Sequence, residues 1–235
     1  MEINMNYKKK IAIILIATDK YIDLIPNLKE SIDKYFLQNY QKTIFVFNDN
    51  DLISDVENIK INHLPWPMNT LMRFHYISMI KNKLNEYDYI YYMDSDIIVN
   101  DIIDEEIFPM KNEIVSTKHF HFQTSTSIGP YEFENKNSLA YVEKSDVLQN
   151  MYCQACFFGS SKTSFINMVD HIKDEIETDL KNNIIPIWHD ESYFNKYILT
   201  HTCKRLHSGY CHSPRWGKKD YTYNIKLIHN ELHSI

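Results

Sequence analysis

Strand-like and helix-like segments alternate along the first part of the chain, and this order limits the fold more than any other feature. Apolar and β-branched residues typical of buried strands occupy segments 10–18, 42–49, 57–64 and 89–93. Apolar residues at helical spacing occupy segments 21–38 and 69–84 between them. Strands that are connected through helices pair in parallel, and the helices cover the faces of the sheet. The sequence therefore predicts an α/β fold with a mostly parallel central sheet flanked by helices.

The second half of the chain is less regular. Residues 151–159 have the composition of a strand, and residues 161–180 have the periodicity of a helix. A further helix begins near His189, whereas residues 119–149 are polar, lack a clear period and are predicted to form loops over a site. We find no internal repeat or linker in the sequence, so we expect residues 1–235 to form a single domain.

Composition and charge exclude several classes of protein. The net charge of −6 is not that of a general nucleic-acid binder, and the sequence lacks the glycine-rich loops that hold nucleotide phosphates. Lysines before residues 11–17 resemble a signal peptide, but the apolar run ends at Thr18 without a small-residue cleavage site. No segment approaches the ~20 apolar residues needed to cross a bilayer. We expect a soluble protein that is cytoplasmic, or peripheral at the inner face of a membrane.

The four cysteines do not suggest a disulfide framework in a chain of this length. Cys153 and Cys156 form a C-x-x-C motif, which occurs in zinc and redox sites. They lie, however, in an apolar run typical of a buried strand, and Cys203 and Cys211 do not supply a second motif of that spacing. We therefore expect reduced thiols in a reducing compartment.

Two aspartates follow the strand-like segment 89–93. Asp94 and Asp96 are separated by Ser95, with apolar residues on both sides. If the strand continues through them, both carboxylates point to the same side of the sheet. Neighbouring carboxylates repel each other, and a hard divalent cation relieves the repulsion and can bridge to phosphate oxygens. A solvated turn is the simpler alternative, but the apolar neighbours make unpaired carboxylates costly and favour the metal site.

A second polar cluster lies in residues 188–195, WHDESYFN. It places His189, Asp190 and Glu191 next to one another, where helical periodicity begins. Acids in the first turn of a helix are stabilised by its dipole, so capping is one explanation. Capping does not explain the adjacent Trp188 or three consecutive polar side chains. The cluster is therefore a second candidate for a functional site.

The two clusters occur in the order seen in a known family. The segments YYMDSDIIV and IWHDESYFNKYIL resemble those of glycosyltransferase family 6, which includes the histo-blood-group A and B transferases and the α-1,3-galactosyltransferases. Three more segments are similar to the family: IATDKYIDLIPNLKESIDKYF, PWPMNTLMRFHYIS and SLAYVEKSDVLQNMYCQACFFGSS. The resemblance covers nearly the whole chain from about Ile11, and it is to the short soluble microbial type of member, without membrane anchor and stem.

This resemblance implies a GT-A fold whose N-terminal half binds the nucleotide and whose C-terminal half binds the acceptor. It implies transfer of Gal or GalNAc from UDP-Gal or UDP-GalNAc to the 3-hydroxyl of a galactose-terminated acceptor, plain or fucosylated, with retention of the α configuration. It also implies that Asp94 and Asp96 hold Mn²⁺ against the UDP diphosphate. Many bacterial members carry asparagines there and dispense with metal. This chain has aspartates, so we expect metal dependence.

Further roles follow from the resemblance alone. The residues implied to line the uridine are Ile16, Ala17, Thr18 and Tyr21. Arg73 and Asp190 would hydrogen-bond the donor sugar. Glu191 would face the anomeric carbon as the catalytic carboxylate and contact the acceptor, whose site would be shaped by His119 and Trp188.

The segment implied to distinguish Gal from GalNAc is Gln154, Ala155 and Cys156. Because a side chain at 156 larger than glycine would crowd the acetamido group of GalNAc, Cys156 favours UDP-Gal. A tail lysine or arginine usually covers the diphosphate in the family. Here His229 aligns best, with Lys226 nearby, so the identity of the tail cation stays open.

Two other functions are compatible with the sequence. The chain could be a catalytically silent lectin-like or sugar-nucleotide-binding module, although Asp94, Asp96 and Glu191 are all present. It could also be a small metal-dependent phosphohydrolase built on the aspartate pair, but that function leaves Arg73 and Trp188 without a role.

Overall fold

A seven-stranded sheet forms the centre of the molecule. The computed structural model describes residues 9–50, 53–122, 128–148, 151–216 and 223–230. The strands of the sheet are β1 (Lys10–Ile16), β2 (Gln41–Asn48), β3 (Glu57–Lys60), β4 (Tyr89–Met93), β6 (Ile114–Lys118), β7 (Cys153–Ser161) and β8 (Cys203–Leu206). Two short strands, β5 (Ile97–Val99) and β9 (Leu227–His229), pair separately. The helices are α1 (Ile25–Tyr35), α2 (Met68–Leu71), α3 (Arg73–Met79), α4 (Lys81–Leu84), α5 (Lys162–Lys181) and α6 (His189–Thr200).

The strand order is β3-β2-β1-β4-β7-β6-β8. The first four of these strands run parallel, β7 is antiparallel to both β4 and β6, and β8 is again parallel to β6. The predicted α/β fold with a mostly parallel sheet is therefore confirmed. Because β1 and β4 are parallel neighbours, their carboxyl ends meet at one edge, where ligands of such sheets bind.

Both faces are buried at the centre of the sheet, which explains why β1, β4 and β7 are buried almost continuously rather than at alternate residues. The edge strands β3 and β8 carry polar, partly exposed residues instead. Tyr92 and Phe158 stack at 5.0 Å between ring centroids on the face covered by α3, α5 and α6. Tyr91 and Phe157 stack at 5.8 Å on the opposite face, with α1. Successive residues of one strand thus enter two separate cores.

The segment 69–84 differs from its prediction of one helix. It forms three short helices, and the backbone ψ angles of 6° at Met72 and 9° at Ile80 interrupt the helical path. Leu71, Phe74 and Leu84 are all fully buried. The apolar face continues across both breaks, so periodicity identifies the buried residues but not the interruptions.

The remaining helix and strand predictions agree with the structure to within a few residues. The polar segment 119–149 consists, where it is described, of turns and 3₁₀ helices rather than strands or α-helices. Among the described residues, no helix is long and apolar enough to cross a membrane.

Candidate active site

A cleft of roughly 200 Å³ opens at the carboxyl ends of β1 and β4. Its lining includes six of the residues predicted for the donor or metal site: Ile16, Thr18, Tyr21, Arg73, Asp94 and Asp96. The sequence analysis missed four others: Asn69, Thr70, Tyr92 and Ser95. Ala17 is fully buried beneath the cleft, where its backbone N–H bonds the Phe47 carbonyl at 2.8 Å. The cleft therefore joins β1, α2, α3 and the turn after β4.

Asp94 and Asp96 lie on a turn between β4 and β5, because β4 ends at Met93. The expectation that strand alternation aligns them is therefore wrong; the turn directs both toward the cleft. The Asp94 backbone N–H donates to the Cys156 carbonyl at 2.9 Å, and the Tyr92 hydroxyl donates to Asp94 Oδ1 at 2.8 Å. Burial and the Asp96 charge raise the pKa of Asp94, against the opposing effect of Arg73.

The aspartate pair fits a hard divalent cation. Two partly buried carboxylates that repel each other face one cleft, and carboxylate oxygens are the ligands that Mg²⁺ and Mn²⁺ prefer. Asp96 Oδ1 lies 3.6 Å from His229 Nδ1. Burial lowers the pKa of His229, but the Asp96 and Asp94 carboxylates outweigh burial and raise it overall. Negative charge is thus concentrated where a cation would bind.

Arg73, the first residue of α3, connects the aspartate turn to α6. Its Nε lies 2.9 Å from Asp190 Oδ2, and its Nη2 lies 3.4 Å from Asp94 Oδ1. Its Nη1 donates to the Ala155 carbonyl, and its guanidinium lies 4.4 Å from the centre of the Tyr92 ring. Arg73 and Asp190 are 6% and 3% exposed, so a buried ion pair fixes both groups.

The WHDES cluster begins α6, as predicted. The Tyr152 hydroxyl donates to Glu191 Oε1 at 2.7 Å, and the Ala155 backbone N–H donates to Glu191 Oε2 at 2.9 Å. Burial raises the pKa of Glu191 to about 7, although both hydrogen bonds favour the ionised form. Burial also raises the pKa of Asp190 to about 6. Contacts with β7 and α3 show that these acids do more than complement the helix dipole.

His119 and Trp188, the predicted acceptor residues, lie in different surroundings. The His119 ring packs 4.8 Å from Phe122 and 5.9 Å from Tyr152, the residue that holds Glu191. Burial lowers the pKa of His119 to about 4, which keeps the imidazole neutral. Trp188 is 51% exposed just before α6. The structure therefore links His119 to Glu191 through Tyr152 and leaves the Trp188 ring open to solvent.

Two aromatic residues near the WHDES cluster were not among the predicted site residues. Tyr152 is buried and has no distinguishing signal in the sequence beyond its apolar neighbours. Trp66 is 74% exposed and packs edge-on against His189, with 5.0 Å between ring centroids. An exposed tryptophan flanked by prolines, PWP, is a signal that could have identified Trp66.

The segment Gln154–Cys156 contacts the site mainly through its backbone. Ala155 bonds both Arg73 and Glu191, and the Cys156 carbonyl bonds Asp94. Gln154 Nε2 lies 3.4 Å from His229 Nε2. Strand β7 thereby holds the two acidic clusters in place from below.

The cysteines correct the expectation of reduced thiols. Cys156 and Cys211 form a disulfide, whereas Cys153 and Cys203 are free and lie beside each other. Cys153 and Cys156 are three positions apart on β7 and lie in the cores on opposite faces of the sheet. The C-x-x-C motif therefore cannot act as a unit, and each cysteine meets a partner distant in sequence.

The tail places His229, not Lys226, beside the cleft. Lys226 Nζ lies 2.9 Å from Asp101 and donates to the Ile102 carbonyl. The other tail lysines, at 218 and 219, lie outside the described residues.

Comparison with known proteins gives consistent matches. The family model described as glycosyltransferase family 6 matches residues 2–232. The O-antigen biosynthesis glycosyltransferase WbnI of Escherichia coli is 28% identical over 95% of this chain and 87% of its own length. The histo-blood group ABO system transferase 1 of Rattus norvegicus is 25% identical over 81% of this chain and 57% of its own. The globoside alpha-1,3-N-acetylgalactosaminyltransferase 1 of Gallus gallus is 23% identical over 83% of this chain and 59% of its own length.

The chain thus spans somewhat more than half the length of the animal relatives it matches, and most of the bacterial one. The family match covers nearly all residues, including the cleft, the aspartate turn and the start of α6. The chain belongs to glycosyltransferase family 6, and its sheet is that of the family's GT-A fold.

Proposed function

We propose that the protein is a retaining α-1,3-glycosyltransferase that moves Gal or GalNAc from a UDP-sugar to the 3-hydroxyl of a galactose-terminated glycan. The names of its relatives support this class of reaction, since they include an O-antigen glycosyltransferase, an ABO transferase and an α-1,3-N-acetylgalactosaminyltransferase. One observation carries the proposal. Glu191 is fixed by Tyr152 and Ala155 beside an Arg73–Asp190 ion pair that reaches the aspartate turn.

The donor would bind in the cleft with its diphosphate at the aspartate turn. Asp94 and Asp96 would hold Mn²⁺, which when bound offsets negative charge on the departing diphosphate. Tyr21 and Thr18 also line the cleft, where they would contact the uridine. His229 would place an imidazole near the diphosphate, because Asp96 orients its ring. In this arrangement the N-terminal half supplies most nucleotide contacts.

Arg73 and Asp190 would position the donor sugar. Their ion pair leaves little freedom to either side chain, so hydroxyl groups of the sugar meet fixed donors and acceptors. Glu191 would face the anomeric carbon. As an anion it either attacks this carbon or stabilises the positive charge that develops there, and in both cases it acts more strongly in the transition state than in the ground state.

The C-terminal half would bind the acceptor. Trp188 offers an exposed apolar ring for one face of a sugar, and neutral His119 offers a hydrogen-bonding group beside Tyr152. Glu191 would contact both substrates, since Tyr152 links it to His119 and Ala155 links it to Arg73 in the lining of the donor cleft.

The test is product analysis. The protein is incubated with Mn²⁺ and separately with UDP-Gal, UDP-GalNAc, UDP-Glc and UDP-GlcNAc, with and without plain and fucosylated galactosides. We expect a new α-1,3 linkage, identified by NMR, from UDP-Gal or UDP-GalNAc. Binding of a UDP-sugar without transfer or hydrolysis would show a silent binding module, and release of inorganic phosphate would show a phosphohydrolase. Either result would overturn the proposal.

A further inference from the structure

Three metal-ligating side chains from distant parts of the chain meet below the aspartate turn. Cys156 Sγ, Cys211 Sγ and one ring nitrogen of His229 all lie within 4.8 Å of one another. His229 Nε2 is 3.2 Å from Cys211 Sγ. Both cysteines are 1% exposed, and the His229 side chain is 16% exposed. The donor and acceptor roles proposed above do not explain why two sulfurs and an imidazole converge here.

The orientation of His229 matches that of a metal-bound histidine. Its Nδ1 faces Asp96 Oδ1 at 3.6 Å, whereas its Nε2 faces the sulfur of Cys211. Metal-ligating histidines commonly direct their second ring nitrogen to a carboxylate, which fixes the ring and the tautomer. With the proton on Nδ1, the lone pair of Nε2 points toward the two sulfurs.

Backbone hydrogen bonds hold these side chains in register. The His212 N–H donates to the Leu227 carbonyl at 3.0 Å, and the His229 N–H donates to the His212 carbonyl at 2.8 Å. Strand β9 pairs with β5, where His229 lies opposite Ile97. Cys211 and His229 are therefore fixed to each other and to the aspartate turn, and Cys156 approaches from β7.

The spacing leaves room for an ion once the disulfide is reduced. The α-carbons of Cys156 and Cys211 are 6.9 Å apart, just beyond the usual disulfide range of about 4.4–6.8 Å. A tetrahedral zinc ion with ordinary bond lengths separates its ligand atoms by about 3.5–4 Å. The two sulfurs need to separate by rotation of their side chains, without approach of the two backbones.

A soft divalent cation also suits the charge and the surroundings. Two thiolates balance Zn²⁺, and the neutral imidazole adds no charge, so the buried complex is neutral. Gln154 lies beside the cluster, with Nε2 3.4 Å from His229 Nε2, and its buried Oε1 has no hydrogen-bond partner among the described residues. A water molecule would supply the fourth ligand. Sulfur and nitrogen ligands select zinc-type ions, whereas the aspartate oxygens select Mg²⁺ or Mn²⁺.

We propose that reduction of the Cys156–Cys211 bond opens a Cys₂His site for a zinc-type cation, separate from the oxygen site of Asp94 and Asp96. A small dithiol supplies two electrons and two protons, is itself oxidised to a disulfide, and leaves two thiols. Binding of the ion releases one proton from each thiol to solvent. The tail is then tied to β7 in both states: by the disulfide when oxidised and by the ion when reduced.

The experiment is a Co²⁺ titration of the reduced full-length protein in the presence of excess Mg²⁺, and it requires no assumption about the reaction. We expect one equivalent of Co²⁺ to give thiolate charge-transfer absorption, and Zn²⁺ to remove it. Cys211→Ser and His229→Gln should lose this absorption, whereas Cys153→Ser and Cys203→Ser should keep it. Protein oxidised with diamide should show none.

Two matched aspartate variants test the orientation of His229. Asp96→Asn should weaken Co²⁺ binding at the thiolate site about 10–100-fold, as expected when a carboxylate that orients a histidine ligand is lost. Asp94→Asn should weaken binding much less, because Asp96 lies beside the His229 ring whereas Asp94 acts on His229 through its charge alone. Equal effects of both substitutions would contradict the proposed role of Asp96.

Thermal melting and alkylation keep the proposal testable where a variant fails to fold. In the reduced wild-type protein, Zn²⁺ should raise Tm and should slow alkylation of Cys156 and Cys211 but not of Cys203, as read by mass spectrometry. The proposal is wrong if the reduced wild-type protein shows no thiolate absorption with Co²⁺, or if the absorption persists in folded Cys211→Ser.

Discussion

The site contains two acidic pairs that differ in what holds their oxygen atoms. Asp94 and Asp96 lie on a turn and line the open cleft, and the described contacts of the Asp94 carboxylate, with the Tyr92 hydroxyl and Arg73, are both made by one oxygen, Oδ1. Asp190 is closed off by the Arg73 ion pair, and both oxygens of Glu191 accept hydrogen bonds from β7 or the residue before it. The first pair is arranged to receive a ligand, and the second is already bound by the protein.

This difference indicates how similar residues acquire different roles. Carboxylates that repel each other at a cleft are stabilised by a cation from outside. A carboxylate held by neutral hydrogen-bond donors keeps its direction, and these donors favour its ionised form against the effect of burial, so it can act on a substrate without rearranging. Substitutions in the two pairs should therefore have different signatures, and the following predictions rank them by expected effect.

Glu191→Gln should have the largest effect on catalysis. The substitution keeps the shape and removes the charge, so we expect kcat to fall roughly 10²–10⁴-fold, the range seen for catalytic charged groups. Affinity for UDP should change little, because Glu191 is assigned to the reacting centre and not to the nucleotide. Steady-state kinetics and UDP calorimetry measure both quantities. Glu86→Gln, an exposed carboxylate, is the control. If kcat of Glu191→Gln stays near the parental value, Glu191 serves only to complement the dipole of α6.

Asp96→Asn should lower transfer roughly 10²–10³-fold, because a weakened cation site forfeits several kcal/mol of charge stabilisation. Asp94→Asn should act similarly, and EDTA should inhibit the parent enzyme to a comparable extent. Asp174→Asn, on the exposed surface of α5, serves as the control. Full activity in excess EDTA would contradict the metal assignment. It would also remove the proposed difference between the two acidic pairs, since Asp94 and Asp96 would then not need a cation.

Tyr152→Phe should reduce kcat roughly 10–100-fold, as expected for loss of a hydrogen bond to a charged group. The matched control is Tyr131→Phe, since the Tyr131 hydroxyl bonds the Asn195 carbonyl at 3.2 Å and its ring packs on Tyr152. Equal losses in the two variants would indicate general loosening of the aromatic cluster rather than loss of support for Glu191.

The pH dependence of kcat tests whether Glu191 must be ionised for activity. In the proposed mechanism Glu191 acts as an anion, and burial raises its pKa to about 7, so kcat should fall as the pH decreases through this value. The Tyr152 hydroxyl favours the ionised form, hence Tyr152→Phe should raise the pKa of Glu191 further and move the acid limb to higher pH. A pH–kcat profile of each variant measures the shift. If kcat of Tyr152→Phe falls at the same pH as that of the wild-type enzyme, a group other than Glu191 causes the fall.

Donor preference should show the smallest effect. The family resemblance implies that the wild-type enzyme favours UDP-Gal and that Cys156→Gly shifts the kcat/KM ratio toward UDP-GalNAc by roughly tenfold. The structure places the Cys156 side chain in the core, bonded to Cys211, and not in the lining of the cleft, so this effect would be indirect. Cys211→Ser removes the disulfide while keeping the Cys156 side chain, so it separates pocket size from the loss of the cross-link. If the wild-type enzyme prefers UDP-GalNAc, the assigned donor is wrong, but the proposed class of enzyme is unaffected.

The sequence located some parts of the site and missed others for identifiable reasons. Asp94, Asp190 and Glu191 stand in compact motifs, so local spacing was enough to select them. Tyr152 has no motif, and its importance arises because its hydroxyl meets a residue 39 positions away. The cysteines show the same limit: Cys156 pairs with Cys211 across 55 residues, not with its neighbour in the C-x-x-C motif.

The sequence by itself determined the alternation of strands and helices, the buried faces and the two acidic clusters, because hydrophobic periodicity and short motifs depend on neighbours along the chain. The tertiary structure decided which residues meet. The antiparallel strand β7 between β4 and β6 brings Ala155 to Arg73 and to Glu191, over 82 and 36 residues of sequence. Strand order and side-chain direction fix such contacts, and both result from packing of the whole chain rather than from any local pattern.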